Sequence, residues 1–302
     1  MARILVVAPN WIGDALMAQP LLSRLREVDV IAPEWVAPVM RRMPEVRKVI
    51  ATPFVHGPLQ LRERWKLARS LDKYDQAYVL PNSWKSALIP FFAGIPRRTG
   101  YVGEARYGLL NDARKATGAS MVAHYAALAD APASQPRLRV SGDEIEQAKR
   151  KFGVAGRYAA LCPGAEYGPA KRWPYFADLS KKLSLPVVVL GSAKDRQPDI
   201  TGTDLTGKTT LDEAILLLAG ADFVVSNDSG LMHVAAALGR PQLALFGSSS
   251  PEHTPPQSPA ARVVWLKIEC SPCYQRECPL GHFRCMREMT VETVLDQLKT
   301  VS

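Results

Sequence analysis

The chain has 302 residues, 47% of them hydrophobic and 22% charged, with a formal net charge of +9. That composition suits two globular domains of ordinary size and excludes a disordered or fibrous chain. No run approaches the roughly 18 apolar residues of a membrane-spanning helix, and the apolar run at residues 4–8 is too short for a signal peptide, so a cytoplasmic location is expected. The charge is uneven. Residues 1–150 hold 22 Lys+Arg against 14 Asp+Glu, whereas residues 151–302 hold 16 against 15. A basic first half suits a large acidic partner, either nucleic acid or an anionic membrane surface or glycolipid. No nucleic-acid-binding motif is present, so nucleic acid is not the expected partner.

Residues 3–8 read as a first strand, followed by the turn Asn10-Trp11-Ile12-Gly13-Asp14. A helix over 15–27 is expected from Leu16, Leu21, Leu22 and Leu25 at roughly helical spacing. Asp14 sits at its start, where a carboxylate is favoured electrostatically. It is either a simple cap or a base facing a cleft. Further strands are expected at 29–32, 46–51 and 76–80, with helices at 34–43, 59–71 and 83–92. This alternation is the βαβ signature of a parallel sheet. Arg62 and Arg64 lie on the helix at 59–71, and Arg97 and Arg98 lie in an expected loop. Each is a candidate for clamping phosphate or carboxylate, or else a solvated surface residue.

Residues 130–136 are rich in Pro and small residues and lead into a polar helix at 143–152; the domain boundary is placed in this region, with the first domain taken as 1–150. The second half restarts with a strand at 158–162. Lys171 follows it in the loop 163–174, ahead of a helix that Pro174 can open. A strand at 186–191 and a helix at 211–219 come next. The segment Asn227-Asp228-Ser229-Gly230-Leu231-Met232-His233 then joins a buried strand to a helix. Parallel α/β sheets bind ligands at the carboxyl ends of their strands, and a helix start offers free N–H groups to an anion. Lys171 and the turn 228–233 converge on that end, so an anion such as a diphosphate fits there. Strands at 242–246 and 263–267 complete the second sheet.

Two motifs point elsewhere. Gly202-Thr203-Asp204-Leu205-Thr206-Gly207-Lys208-Thr209 matches the P-loop pattern, but a P-loop needs a buried strand before its first glycine. Here the preceding residues are polar, and the expected strand falls inside the motif. Cys270, Cys273, Cys278 and Cys285 form a cluster compatible with structural zinc, with reduced structural thiols, or with redox or disulfide chemistry.

Three segments together resemble glycosyltransferase family 9: Asn10 to Asp14, Pro163 to Pro174, and Ser226 to His233. The resemblance covers nearly the whole chain. It implies an α/β GT-B fold of two Rossmann-like doubly wound domains facing a central cleft. Residues 1–150 would bind the acceptor, residues 151–289 would bind ADP-heptose, and a final helix, 290–302, would cross back to the first domain. It implies inverting transfer of L-glycero-D-manno-heptose to the first heptose of the lipopolysaccharide inner core, with no metal or cofactor, the alternative being a family 9 transferase with another acceptor or nucleotide-sugar. Asp14 matches the proposed general base. Lys171 matches the lysine on the donor phosphates, and Asp228, Ser229, Gly230, Leu231, Met232 and His233 match the donor-binding turn. Asp195 approximately matches the ribose contact. Asn10, Arg62, Arg64, Arg97 and Arg98 are the acceptor candidates. The acceptor, a lipid A–inner core glycolipid, implies peripheral contact with the inner membrane.

Overall fold

The computed structural model describes residues 2–54, 57–116 and 120–301. Short runs of Val, Ile, Leu and Ala, cut by Pro, Gly and Asn, form the central strands of two sheets and are buried on both faces, as parallel sheets require, while the outer strands are more polar and partly exposed. The first sheet contains β1 (Ile4–Val7), β2 (Val28–Pro33), β3 (Val46–Thr52), β4 (Gln76–Val79), β5 (Arg97–Tyr101) and β6 (Asp112–Arg114). The second contains β7 (Ala159–Cys162), β8 (Val187–Val189), β9 (Thr203–Asp204), β10 (Phe223–Asn227), β11 (Gln242–Phe246) and β12 (Ala261–Trp265). The orders are β3-β2-β1-β4-β5-β6 and β12-β11-β10-β7-β8-β9. Every one of these neighbouring pairs is parallel.

Counted from its own first strand, each sheet therefore has the doubly wound order 3-2-1-4-5-6. The order reverses between β1 and β4 in the first sheet and between β7 and β10 in the second. At such a switch point the flanking connections leave in opposite directions and open a crevice at the carboxyl ends of the two strands. The first core includes Leu5, Ile31, Ala77 and Ile89. The second includes Leu161, Trp173, Phe176, Val225 and Leu245.

Four differences from the sequence expectations bear on the architecture. The helix expected over 15–27 is two helices, Ile12–Met17 and Gln19–Leu25. Pro20, in the first turn of the second, has no N–H to continue the first. Arg97 and Arg98 open a strand rather than lying in a loop. The two compact units divide between Ser134 and Gln135, not at residue 150, because the helix Gly142–Lys151 packs on the helix Leu211–Ala219 of the second unit. The final helix, Val291–Leu298, packs on the helix Phe176–Lys182 and on β12. Its Val291, Val294 and Leu298 are buried in the second unit's own core, so the apolar side assigned to a crossing helix is used there.

Candidate active site

The second sheet's switch point is assembled around Asn227, the last residue of β10. Its amide is fully buried and makes two hydrogen bonds in opposite senses. Nδ2 donates to the Pro163 carbonyl at 2.7 Å, and Oδ1 accepts from the Trp173 amide at 3.1 Å. Both ends of the loop that carries Lys171 are thereby tied to the strand beside it. Lys171 Nζ forms an ion pair and hydrogen bond with Asp228 Oδ2. Ser249 Oγ donates to the same oxygen at 2.5 Å. The Asp228 carboxylate is nearly inaccessible, so the cation and hydroxyl offset the cost of burying it.

The helix Gly230–Ala237 starts immediately after this carboxylate. Ser229 precedes it without a side-chain cap, and Ser229 Oγ lies 3.3 Å from Ser226 Oγ. The first N–H groups of the helix are thus left uncapped by that side chain, next to an ammonium group. This is the arrangement that favours an anion. His233 lies within the first turn and is buried. Burial pushes its imidazole down to about 4; Lys171 acts in the same direction and Asp228 opposes. The ring is neutral near pH 7. Met232 is buried against Ala244 and Phe246, so it is a core residue rather than the donor contact expected.

Asp195 also differs from expectation. Its Oδ2 accepts from both the amide and hydroxyl of Ser192, at 2.9 and 2.6 Å, and its Oδ1 accepts from Arg172 Nη2 at 2.8 Å. It caps its own short turn and joins that turn to the Lys171 loop, instead of presenting a free carboxylate for a ribose. A Cβ on Gly164 would stand 2.5 Å from this carboxylate. Glycine is therefore required by close approach.

A second brace comes from far along the chain. The Arg276 carbonyl accepts from the Ala170 amide at 3.1 Å, and Arg276 Nε donates to the Tyr167 carbonyl at 2.7 Å. The Tyr167 hydroxyl donates to the Tyr274 carbonyl at 2.6 Å, and the Tyr274 amide donates to the Ser248 carbonyl at 2.7 Å. The segment between Cys273 and Cys278 thus bridges the Lys171 loop to the loop carrying Ser249. Lys171 Nζ also stands 4.9 Å from the Tyr167 ring centroid, a cation–π contact.

The first sheet's switch point carries Asp14. It lies in the first turn of the helix Ile12–Met17 and is half-buried. The buried Tyr125 hydroxyl hydrogen-bonds to it; burial first, then the Asp14 charge, raise the Tyr125 phenol. Asn10 is exposed in the same turn, and its carbonyl accepts from Trp35 Nε1 at 2.8 Å. Arg62 is exposed near the start of the helix Leu61–Ser70, which follows β3 and so begins at the same edge.

The other three expected acceptor arginines have structural roles. Arg64 is buried, donates to the Leu59 and Lys85 carbonyls at 2.8 and 3.4 Å, and covers the Phe54 ring. Arg97 and Arg98 stand at the amino end of β5, in register with Gln76 and Ala77 of β4. That is the edge of the sheet opposite to Asp14. Arg97 is paired with Asp112 at 2.9 Å, and Arg98 donates to the Leu109 and Ile95 carbonyls at 2.6 Å each.

The P-loop match is excluded by its geometry. The edge strand β9 falls inside the motif, and Lys208 Nζ donates to the Asp204 carbonyl at 2.7 Å. The five cysteines are thiols, and among the described residues no group of three or more His, Cys, Asp or Glu side chains is disposed to hold a metal ion. No described helix is long and apolar enough to cross a membrane.

Sequence reading missed Ser249, Tyr125 and Arg276, and it named Asn227 as part of the turn without its bracing role. Ser249 had a signal, since Gly247-Ser248-Ser249-Ser250 follows a fully buried strand beside the switch point. Tyr125 and Arg276 had none, because their contacts are distant in sequence.

Known proteins share this architecture and order of segments. The model for glycosyltransferase family 9 (heptosyltransferase) matches residues 64–284. Lipopolysaccharide heptosyltransferase 2 of Escherichia coli is 43% identical, covering 99% of this chain and 98% of its own. Lipooligosaccharide heptosyltransferase 2 of Haemophilus influenzae is 41% identical, covering 98% of each. The solved structure of E. coli ADP-heptose LPS heptosyltransferase II superposes with a TM-score of 0.88, at 41% identity, over 99% of this chain and 98% of that one. The two doubly wound units are those of the GT-B class, and the chain belongs to glycosyltransferase family 9.

Proposed function

We propose that this enzyme transfers a heptose from ADP-heptose to a heptose of the lipopolysaccharide inner core, with inversion and without a metal. The observation that carries the reading is Lys171, held on buried Asp228 beside the start of the helix Gly230–Ala237 at the second sheet's switch point. It is supported by 43% identity over nearly the full length to a protein named lipopolysaccharide heptosyltransferase 2. The diphosphate would take the ammonium group and the helix N–H groups, which stabilise negative charge growing on departing ADP. A divalent cation is then not needed for that electrostatic work. As Lys171 turns to the phosphates, Asp228 becomes available to accept from a sugar hydroxyl.

Asp14 would take the proton of the acceptor hydroxyl as its oxygen bonds to the anomeric carbon and the bond to the ADP oxygen breaks. The Tyr125 hydroxyl would orient the carboxylate. The basic excess of the first half would favour approach to an anionic lipid surface, which makes peripheral association with the inner membrane part of this reading.

Calorimetric titration with ADP, with and without EDTA, tests the donor site. Binding should be unaffected by EDTA, lost in Lys171→Ala and kept in Lys208→Ala. Binding that needs Mg²⁺ and Lys208 would overturn the reading.

A further inference from the structure

Tryptophan is usually well covered in folded chains. Here four of the six tryptophans are exposed, all of them in the first unit: Trp11 at 50%, Trp35 at 44%, Trp65 at 52% and Trp84 at 41%. The topology collects them. Trp11 follows β1, Trp35 follows β2, Trp65 lies in the second turn of the helix after β3, and Trp84 follows β4. Tyr107, 71% exposed, follows β5. The four strands that precede the tryptophans are parallel neighbours in one sheet, so Trp11, Trp35, Trp65 and Trp84 are delivered to its carboxyl edge, the edge that carries Asp14, while Tyr107 lies in the connection that leaves that edge for β6. Scattered exposed apolar residues are ordinary, but one tryptophan after each of four neighbouring strands is a patterned surface.

The rim is held rather than loose. The Trp35 indole N–H donates to the Asn10 carbonyl, which fixes its ring to the turn carrying Trp11. The Trp84 amide donates to Glu104 Oε2 at 3.0 Å. The buried Arg106 guanidinium, pushed down to about 10 by burial, donates to the Pro81 carbonyl at 2.5 Å and to the Tyr101 carbonyl at 2.6 Å. It thereby binds the loop after β5 to the turn after β4. Polar and cationic groups stand between the rings. Asn10 and Asn82 are exposed. Arg62, Trp65 and Lys66 share a helix face at i, i+3 and i+4, and neither cation forms an ion pair with a described residue.

Rigid aromatic faces alternating with amides and cations suit a phosphorylated saccharide. The C–H face of a sugar ring lies on an indole, its hydroxyls meet the amides, and its phosphate oxygens meet guanidinium and ammonium groups. We propose that this rim is a saccharide-recognition surface that takes the phosphorylated oligosaccharide head of the acceptor glycolipid, with Trp11 and Trp84 as its central stacking rings. The assignment rests on the transferase reading above. It makes the tryptophans, rather than Arg64, Arg97 and Arg98, the determinants of acceptor binding.

The test compares Trp11→Ala, Trp84→Ala, Trp11→Tyr and Trp84→Phe with the wild type. The probes are a deacylated, phosphorylated inner-core oligosaccharide, vesicles of phosphatidylglycerol and phosphatidylethanolamine without saccharide, and ADP. Each alanine variant should weaken oligosaccharide binding, and raise the acceptor KM, tenfold or more. ADP affinity should stay within twofold, vesicle binding should be unchanged, and the aromatic replacements should retain most of the oligosaccharide affinity. Oligosaccharide binding within twofold of wild type in both alanine variants would overturn the assignment. So would loss of vesicle binding alone, which would make the rim a lipid surface. If the wild type binds the oligosaccharide through these rings but transfers no heptose to it, the transferase reading fails while the saccharide site stands.

Discussion

Acidification should weaken the second unit through His233. The imidazole is held at about 4 against an ordinary value of 6.5, first by burial and then by Lys171, with Asp228 opposing. Between those values the unfolded chain binds a proton that the folded one excludes. Stability is therefore complete above about pH 6.5 and is lost as pH falls toward 4. From pH 7.5 to pH 5 this one group should cost about 2 kcal/mol. The His233→Gln variant keeps a neutral polar side chain and removes the titration. Amide hydrogen exchange in β7 and β10, which flank the site, reports the opening free energy of this unit without interference from the first. The wild type should lose about 2 kcal/mol more than the variant over that interval. An equal loss in both proteins, or a His233 ring resonance that titrates near pH 6.5, would refute the burial argument.

Lys171→Met should cost about 3 kcal/mol, because it leaves the buried Asp228 carboxylate with only Ser249. Urea denaturation of Lys171→Met with Asp228→Asn should show most of that stability restored, while calorimetry shows ADP binding still absent. Gly164→Ala should cost about 2 kcal/mol by forcing Asp195 off Arg172 and Ser192, which thermal denaturation would register. Asp14→Asn should lower kcat by about 10²- to 10⁴-fold with ADP affinity unchanged; a retained rate would remove Asp14 from the base role.

Much of the architecture was legible because buried parallel strands read as uninterrupted apolar runs. The strand Gln242–Phe246 and the helix Leu211–Ala219 agree with expectation to the residue. β5 was not legible, since Arg97-Arg98-Thr99-Gly100-Tyr101 has neither an apolar run nor alternation. It pairs because Gly100 lets the chain pass close to the Val79 carbonyl, a condition that only the neighbouring strand imposes. The adjacency of Lys171 and Asp228 was legible because both follow strand ends that the topology makes neighbours. Arg64, Arg97 and Arg98 misled for one reason. Composition reports a cation but not its partner, and each of these is engaged by a carbonyl or carboxylate of its own unit. The aromatic rim escaped notice because its members lie far apart in the chain and are gathered only by the strand order.

The brace between Tyr167 and Arg276 spans 109 positions of the chain. During synthesis the first unit's six strands are all available once Arg114 has emerged. The Lys171 loop has a different schedule. β7 and β10 can pair early and Asn227 can tie the ends of the loop after β7, but its middle, at Tyr167 and Ala170, is not braced until the segment around Tyr274 and Arg276 has been made. A nascent chain ending before that segment would have all six strands of the second sheet and a Lys171 loop held by Asn227 and Asp228 but lacking its outer brace. Synthesis thus delivers the framework of the second sheet first and the outer brace of the Lys171 loop last.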